Sequence, residues 1–291
     1  MRIFILAFFL CSCNLTFAQG LLDELDEIAP TDQETDYTTA TFKTSRIVNG
    51  QSIENIAQNN LLFVIAHRFG PVSNGIYDLF GLDQASMRMG LEYGLTSWLT
   101  VSVGRSTFQK TYDGFVKAKL LRQSTGKVNM PVSVSYFGST AINSLRWTNP
   151  DRINYFTSRL SYAHQLLIAR KFNSSISLQL SPTVIHKNLV PTTDDQNTSY
   201  AMGVGGRFKL TQRVSFNSEY FYLLPGKTAD DNHDSFSLGF DIETGGHVFQ
   251  LHVTNSLGMF ERAFVTETQG SWQNGQILFG FNLTRTFNFN K

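Results

Sequence analysis

Residues 276–291 carry the strictest pattern in this chain: Ile277, Phe279, Phe281, Leu283, Phe287 and Phe289 alternate with Leu278, Gly280, Asn282, Thr284, Thr286, Asn288 and Asn290. Residues two apart share a face of an extended chain, so one face is apolar and aromatic and the other mostly small and polar. A helix would scatter the same side chains around its circumference. A long, Phe-rich strand of this kind at a C-terminus is what the closing strand of a transmembrane barrel requires.

The other end of the chain agrees. Residues 1–18 read as a signal peptide: Arg2, an apolar run over 3–10, then Thr16-Phe17-Ala18 with small residues at the cleavage positions. Cleavage is expected before Gln19. The apolar run is far short of the ~20 residues a spanning helix needs. Processing as a lipoprotein at Cys13 fits less well, because Cys11 stands where a small residue is usual. Cys11 and Cys13 are the only cysteines, so the mature chain is expected to hold no disulfide, Cys metal site or Cys nucleophile. Beyond the leader no apolar run approaches a membrane helix, and mean hydropathy is slightly negative. A helical membrane protein is excluded, whereas a barrel turns only alternate residues to lipid.

Charge is unevenly placed. Asp23, Glu24, Asp26, Glu27, Asp32, Glu34 and Asp36 all precede Lys43, the first basic residue after the leader. Residues 19–40 are therefore expected to be an acidic, disordered periplasmic segment. Leu21, Leu22, Leu25 and Ile28 at helical spacing leave a short amphipathic helix as the alternative. The remaining basic residues are scattered along strands and form no basic helix face or run, so no nucleic-acid partner is expected.

From residue 61 onward, segments of roughly ten residues alternate in polarity between clusters of Gly, Asn, Asp, Pro and Ser. The pattern is cleanest over 85–95, 200–210, 214–222 and 235–243. It is weaker over 61–69, 99–108, 111–122, 132–140, 154–168, 174–186 and 247–255. With the C-terminal strand this predicts an all-β, transmembrane, antiparallel up-and-down β-barrel of about twelve strands spanning 41–291. Residues 41–48 are either a further short strand or a segment crossing the lumen. The connections alternate too: 96–98, 169–173, 211–213 and 245–246 are short, whereas 70–84, 141–153, 187–198, 225–234 and 256–275 are long. Barrels of the outer membrane place short turns in the periplasm and long loops outside, which puts the N-terminus in the periplasm. The link between the third and fourth strands is shorter than this rule asks.

A secreted β-sandwich would also alternate. Three features favour the barrel: strands longer than the usual five or six residues, polar-face glycines (Gly90, Gly94, Gly203, Gly205, Gly239), and aromatics near strand ends (Tyr93, Trp98, Tyr136, Phe156, Tyr200, Tyr222) where a lipid-interface girdle sits. The expected location is the bacterial outer membrane.

Four stretches carry a family resemblance: His67-Arg-Phe-Gly-Pro71, residues 80–96 (FGLDQASMRMGLEYGLT), residues 110–122 (KTYDGFVKAKLLR) and residues 246–256 (GHVFQLHVTNS). Together they resemble a family of uncharacterised β-barrel proteins, domain of unknown function 5777, over residues from about 41 to the end. The resemblance implies a barrel and brings no catalytic or binding residue with it.

No catalytic, cofactor or metal site is expected. In His233-Asp-Ser235 the His and Ser sit two apart, as in outer-membrane lipid hydrolases, but Phe236 stands where those enzymes carry Asn. Ser235 also shares a face with Ser237, Gly239 and Asp241, away from lipid. His67, His164, His186, His233, His247 and His252 show no metal-ligand spacing. Gly203-Val-Gly-Gly206 lies inside an alternating segment, and no helix follows to bind phosphate.

The candidate functional residues are the polar-face charges, Arg88, Glu92, Lys117, Lys119, Arg207, Lys209, Asp241 and Glu243, expected to line the lumen together with Arg159. They suit either a selectivity lining or a web of ion pairs stiffening a closed barrel. The function expected first is a narrow pore or small-solute channel of unassigned solute. The alternatives are a plugged structural or interaction barrel acting through its external loops, 256–275 above all, and a lipid-modifying enzyme. The expected partners are outer-membrane lipid and, through the C-terminal strand, the barrel-assembly machinery.

Overall fold

The computed structural model describes residues 34–230 and 232–289; the expected signal peptide and most of the acidic segment lie outside the described residues. Twelve antiparallel strands close into one barrel. In chain order they are β1 (Asn60–Pro71), β2 (Ala85–Gly94), β3 (Leu99–Ser106), β4 (Tyr112–Leu121), β5 (Ser133–Ile142), β6 (Leu160–Lys171), β7 (Ile176–Lys187), β8 (Thr198–Lys209), β9 (Val214–Leu223), β10 (Ser235–Thr244), β11 (His247–Thr254) and β12 (Leu278–Asn288). Each pairs with its chain neighbours, and β12 returns to β1 in register over pairs such as Leu283 with Ile65. No sheet edge is left to face lipid with unpaired main chain.

The period-2 pattern sets the two faces. On β2, Met89 and Leu91 point outward and are exposed, whereas Ser86, Arg88, Gly90, Glu92 and Gly94 point inward and are buried. Tyr200 and Tyr222 are exposed at the outer ends of β8 and β9, and Trp98 at the inner end of β3, so aromatics ring both rims. The strand expected over 154–168 begins only at Leu160, because Phe156–Arg159 form a 3-10 turn, and it runs on to Lys171.

Short turns gather at one end, and their sequences show why they are short. Gly245 and Gly246 both take positive φ, 48° and 115°, which lets a two-residue loop join Thr244 to His247 directly. Thr211 Oγ1 accepts the amides of Arg213 and Val214, and Asn173 Oδ1 those of Ser175 and Ile176, so side chains close these turns. The turn over 122–132 is longer because it is a docking point. Asp36–Tyr37 pair with Ser124–Thr125, and the Arg122 guanidinium lies 4.3 Å from the Tyr37 ring centroid. The N-terminal chain is thereby tied to the rim that bears the short turns, the rim that outer-membrane barrels turn to the periplasm and that is called periplasmic on that rule.

Candidate functional site

From that rim the chain turns into the barrel. Residues 41–53 form a hairpin in the lumen: Ile47 N–H donates to Gly50 O (2.9 Å), Ser52 N–H to Ser45 O (2.8 Å), and Arg46 bridges Gln51. The chain then returns to the rim to start β1. The segment left open between two roles in the sequence thus crosses the lumen and is not a barrel strand.

The wall holds this hairpin mainly by its main chain. Glu219 of β9 accepts the amides of Val48 (3.1 Å), Asn49 (2.7 Å) and Gly50 (3.0 Å). Lys117 of β4 donates to Ser45 O (3.4 Å) and Ser52 O (3.2 Å), and Gln179 of β7 to Gln51 O (2.7 Å). Asn282 of β12 donates to Val48 O (3.0 Å), Gln250 of β11 to Ile47 O, and Arg207 of β8 to Ala40 O (3.0 Å) and Thr41 O (3.1 Å). Hairpin side chains are read too: Asn49 donates to Ser237 (2.9 Å) and Thr254 (3.3 Å) and accepts from Arg68 (2.6 Å), and Gln51 Oε1 accepts from Lys117 (3.3 Å).

An apolar seam supports these bonds. Phe42, Ile47 and Ile53 of the hairpin cluster with inward-facing Phe115, Phe137, Leu167 and Ala169. Glycine makes the fit possible: a Cβ on Gly205 would lie 2.4 Å from Ile47 Cδ1, and one on Gly94 2.2 Å from Ala57 O. The inward glycines legible in the sequence therefore make room for the hairpin at Gly205 and for the chain returning to the rim at Gly94.

A second element closes the lumen from the other end. Loop 255–277 folds inward, and its helix α1 (Glu261–Thr266) is almost wholly buried. Phe264 and Val265 pack against Ala163, Ile185, Ala201, Phe221 and Leu223, and Phe260 and Ala263 against Ala141. Arg262 and Lys187 both reach Glu267 at the end of the helix, at 2.9 and 3.3 Å. The two elements meet: Gln51 donates to Glu261 (3.2 Å), and Arg46 pairs with Glu261 at 3.7 Å.

The candidate lumen residues fall into two groups. Arg88, Glu92, Lys117, Arg207 and Asp241 are buried inside the barrel. Lys119, Lys209 and Glu243 are half-buried at the periplasmic rim, where Glu243 pairs with Lys43 of the hairpin. Arg88 is paired with Asp113, Asp241 accepts from Gln250, and Arg207 donates to Ser215. The Glu92 carboxylate is buried without a hydrogen-bond partner. Arg159 does not line the lumen, because it precedes β6; it stacks 3.8 Å over Trp147 among the outer loops. His233 is exposed in an outer loop with its amide bonded to Thr268 O, while Ser235 Oγ is buried on the inner face, so the two side chains are not brought together. Among the described residues no cluster of His, Cys, Asp or Glu could hold a metal ion.

The sequence left the lumen open or plugged and did not reveal that residues 255–277 fold inward to fill it. The available signal was inward-facing apolar residues, Phe115, Phe137, Leu167, Ile185 and Phe221, which a watery lumen would leave solvated at a cost of about 1.5–3 kcal/mol each. They are the walls of a packed interior.

Among solved structures the chain is similar to the KdgM porin (11% identity, covering 79% of this chain and 99% of that one, TM-score 0.48). It is also similar to an outer-membrane channel from Pseudomonas putida F1 (11% identity, 80% and 97%, TM-score 0.49) and to the outer membrane protein Omp33 of Acinetobacter baumannii (8% identity, 80% and 100%, TM-score 0.44). No curated protein sequence matches. Residues 42–287 match a family model that covers hairpin, barrel and inward-folded loop together, and the chain belongs to that family, the membrane bound beta barrel domain (DUF5777).

Proposed function

We propose that this outer-membrane barrel is a channel for small polar solutes, closed in this conformation by the hairpin and by α1. One observation carries the reading: the inner face of the wall is polar beyond what the closing elements use. The hydroxyls of Ser102, Ser135 and Ser235 and the carboxylate of Glu92 are buried inner-face groups without a hydrogen-bond partner. These groups bond to neither closing element, and a permanently filled barrel would gain nothing from polar side chains at such positions over apolar ones. A wall that meets water when the lumen opens has a use for them. Both closing elements are insertions into the lumen and neither is a wall strand, so they can leave without breaking the barrel. Recesses flank them: about 400 Å³ at the periplasmic mouth beside Lys43, Glu54 and Glu243, and about 350 Å³ at the outer mouth beside Gln84, Ser86 and Leu278.

The apolar seam favours a second reading, a barrel plugged for good that works through its outer loops. Planar-bilayer recordings decide between them. Wild type is expected to be closed almost all the time. The full-length variant Ile47→Asp/Phe264→Asp puts a carboxylate into each apolar contact and should conduct steadily. A folded double variant that stays silent would overturn the channel. On either reading lipid surrounds the outer face, and β12, which closes the barrel against β1, is the strand the barrel-assembly machinery would engage.

A further inference from the structure

Apart from the side chains of Lys43, Asn49 and Gln51, the wall's polar groups grip the hairpin through groups that any peptide has. Lys117, Gln179, Gln250, Asn282 and Arg207 all donate to main-chain carbonyls, those of Ala40, Thr41, Ser45, Ile47, Val48, Gln51 and Ser52. Glu219 accepts three successive main-chain amides at the turn. The donors and the acceptor come from five different strands and β12, so together they surround a chain and do not merely touch one side of it. Beside them the Phe115, Phe137, Leu167 and Ala169 patch takes apolar side chains of whatever size fits. A wall built only to exclude water could have packed apolar residues against the hairpin throughout. A wall built for sugars would present its polar groups to hydroxyls on both sides of a ring, with no reason to place one carboxylate against three successive main-chain amides.

We propose that the lumen wall is a binding site for short peptides, that the hairpin is its built-in occupant, and that peptides are the solute class this barrel admits. The inference rests on the channel reading to the extent that the hairpin must leave the wall. Recognition is then of two kinds: main-chain hydrogen bonds that are indifferent to sequence, and an apolar pocket that prefers peptides bearing Phe, Ile or Leu near a turn.

The test uses the full-length chain with the hairpin loosened and the wall intact. Ile47→Asp places a carboxylate in the apolar seam; Asn49→Ala, which removes only the bonds to Arg68, Ser237 and Thr254, serves if the first variant fails to fold, as judged by migration on unboiled gels. The probe is a fluorescein-labelled synthetic peptide with the sequence of residues 41–54, followed by anisotropy in detergent. It should bind the loosened variant at least tenfold more tightly than wild type, whose site is occupied. Glu219→Ala added to that variant should weaken binding at least tenfold. A peptide N-methylated at the positions of Val48, Asn49 and Gly50 keeps every side chain but cannot donate to Glu219, and should lose a similar factor. An unlabelled peptide with its lumen-facing side chains changed to Ala should still compete, and maltotriose should not. Equal binding of the methylated and unmethylated peptides, or equal competition by maltotriose, would overturn the proposal. Conductance of the Ile47→Asp/Phe264→Asp variant is read separately: steady current without peptide preference removes the peptide site and leaves the channel, and peptide binding without current does the reverse.

Discussion

At the scale of single residues, Glu219 has the largest consequence. Its two oxygens take the amides of Val48, Asn49 and Gly50 at the hairpin tip. Glu219→Ala leaves buried donors unmet at about 1–3 kcal/mol apiece, so the tip should open far more often. Hydrogen exchange at Val48, Asn49 and Gly50 should speed up by at least tenfold while strand amides stay protected; unchanged exchange would mean the tip is held some other way. Two neighbours on β10 separate the faces of the barrel. Leu238 faces outward, so Leu238→Arg should cost about 2–4 kcal/mol if it lies near the midplane and lower the yield of folded barrel. In a watery lumen, as an open pore would have, Ser237→Arg would be mild. The structure corrects this, because Ser237 is wholly buried between Thr254 (2.8 Å) and Asn49 (2.9 Å). An arginine there must push the tip away, so this variant should fold and migrate as a barrel yet expose residues 41–54 to added protease.

At the scale of elements, the strands were legible and the closing elements were not, for one physical reason. A barrel strand must satisfy its main chain with a neighbouring strand and present two unlike faces, so Met89 and Leu91 against Arg88 and Glu92 announce β2 without any structure. The hairpin has its main chain satisfied by wall side chains, and apolar neighbours surround it on several sides, so no period appears between residues 41 and 53. The helix α1 is six residues long, too short for a helical pattern to show. Their presence was written instead in the wall, as Phe137 and Leu167 at inward positions and as Gly205 beneath Ile47. The two elements also touch through Glu261, which links an outer loop to a periplasmic hairpin. Glu261→Ala removes the counter-charge of the buried Arg46 guanidinium, which keeps its bond to Asn49 O (2.8 Å), and loss of one partner of a buried pair costs about 3–5 kcal/mol. Exchange and protease cleavage should therefore rise in the hairpin, on the far side of the lumen from the substitution. A response confined to residues 256–270 would show that the elements open independently.

At the scale of the whole molecule, the question is what keeps the barrel shut. Charge offers one means, the acids before Lys43 drawn toward basic lumen residues by an attraction that salt would screen, with a plain flexible spacer as the alternative. The described residues hold the lumen closed in another way. Between the rims lie main-chain hydrogen bonds, the seam of Phe42, Ile47 and Ile53, and a helix packed on Phe221. The basic lumen side chains are engaged locally, Arg88 by Asp113 and Lys117 by hairpin carbonyls, and have little field left to offer a tethered acidic segment. Buried contacts of this kind are scarcely screened by ions. Deleting residues 19–39 removes all seven acids before Lys43 and the pairing of Asp36–Tyr37 with the rim, but leaves the hairpin residues in place. That deletion should change the closed fraction in planar bilayers by less than about twofold, and the closed fraction should be the same at 0.1 M and 1 M salt, where the screening length falls from about 10 to 3 Å. Phe42→Asp, by contrast, should open the barrel at either salt concentration. A truncated protein that conducts freely, with wild-type closure that weakens as salt is raised, would return the control of this barrel to its acidic N-terminal segment.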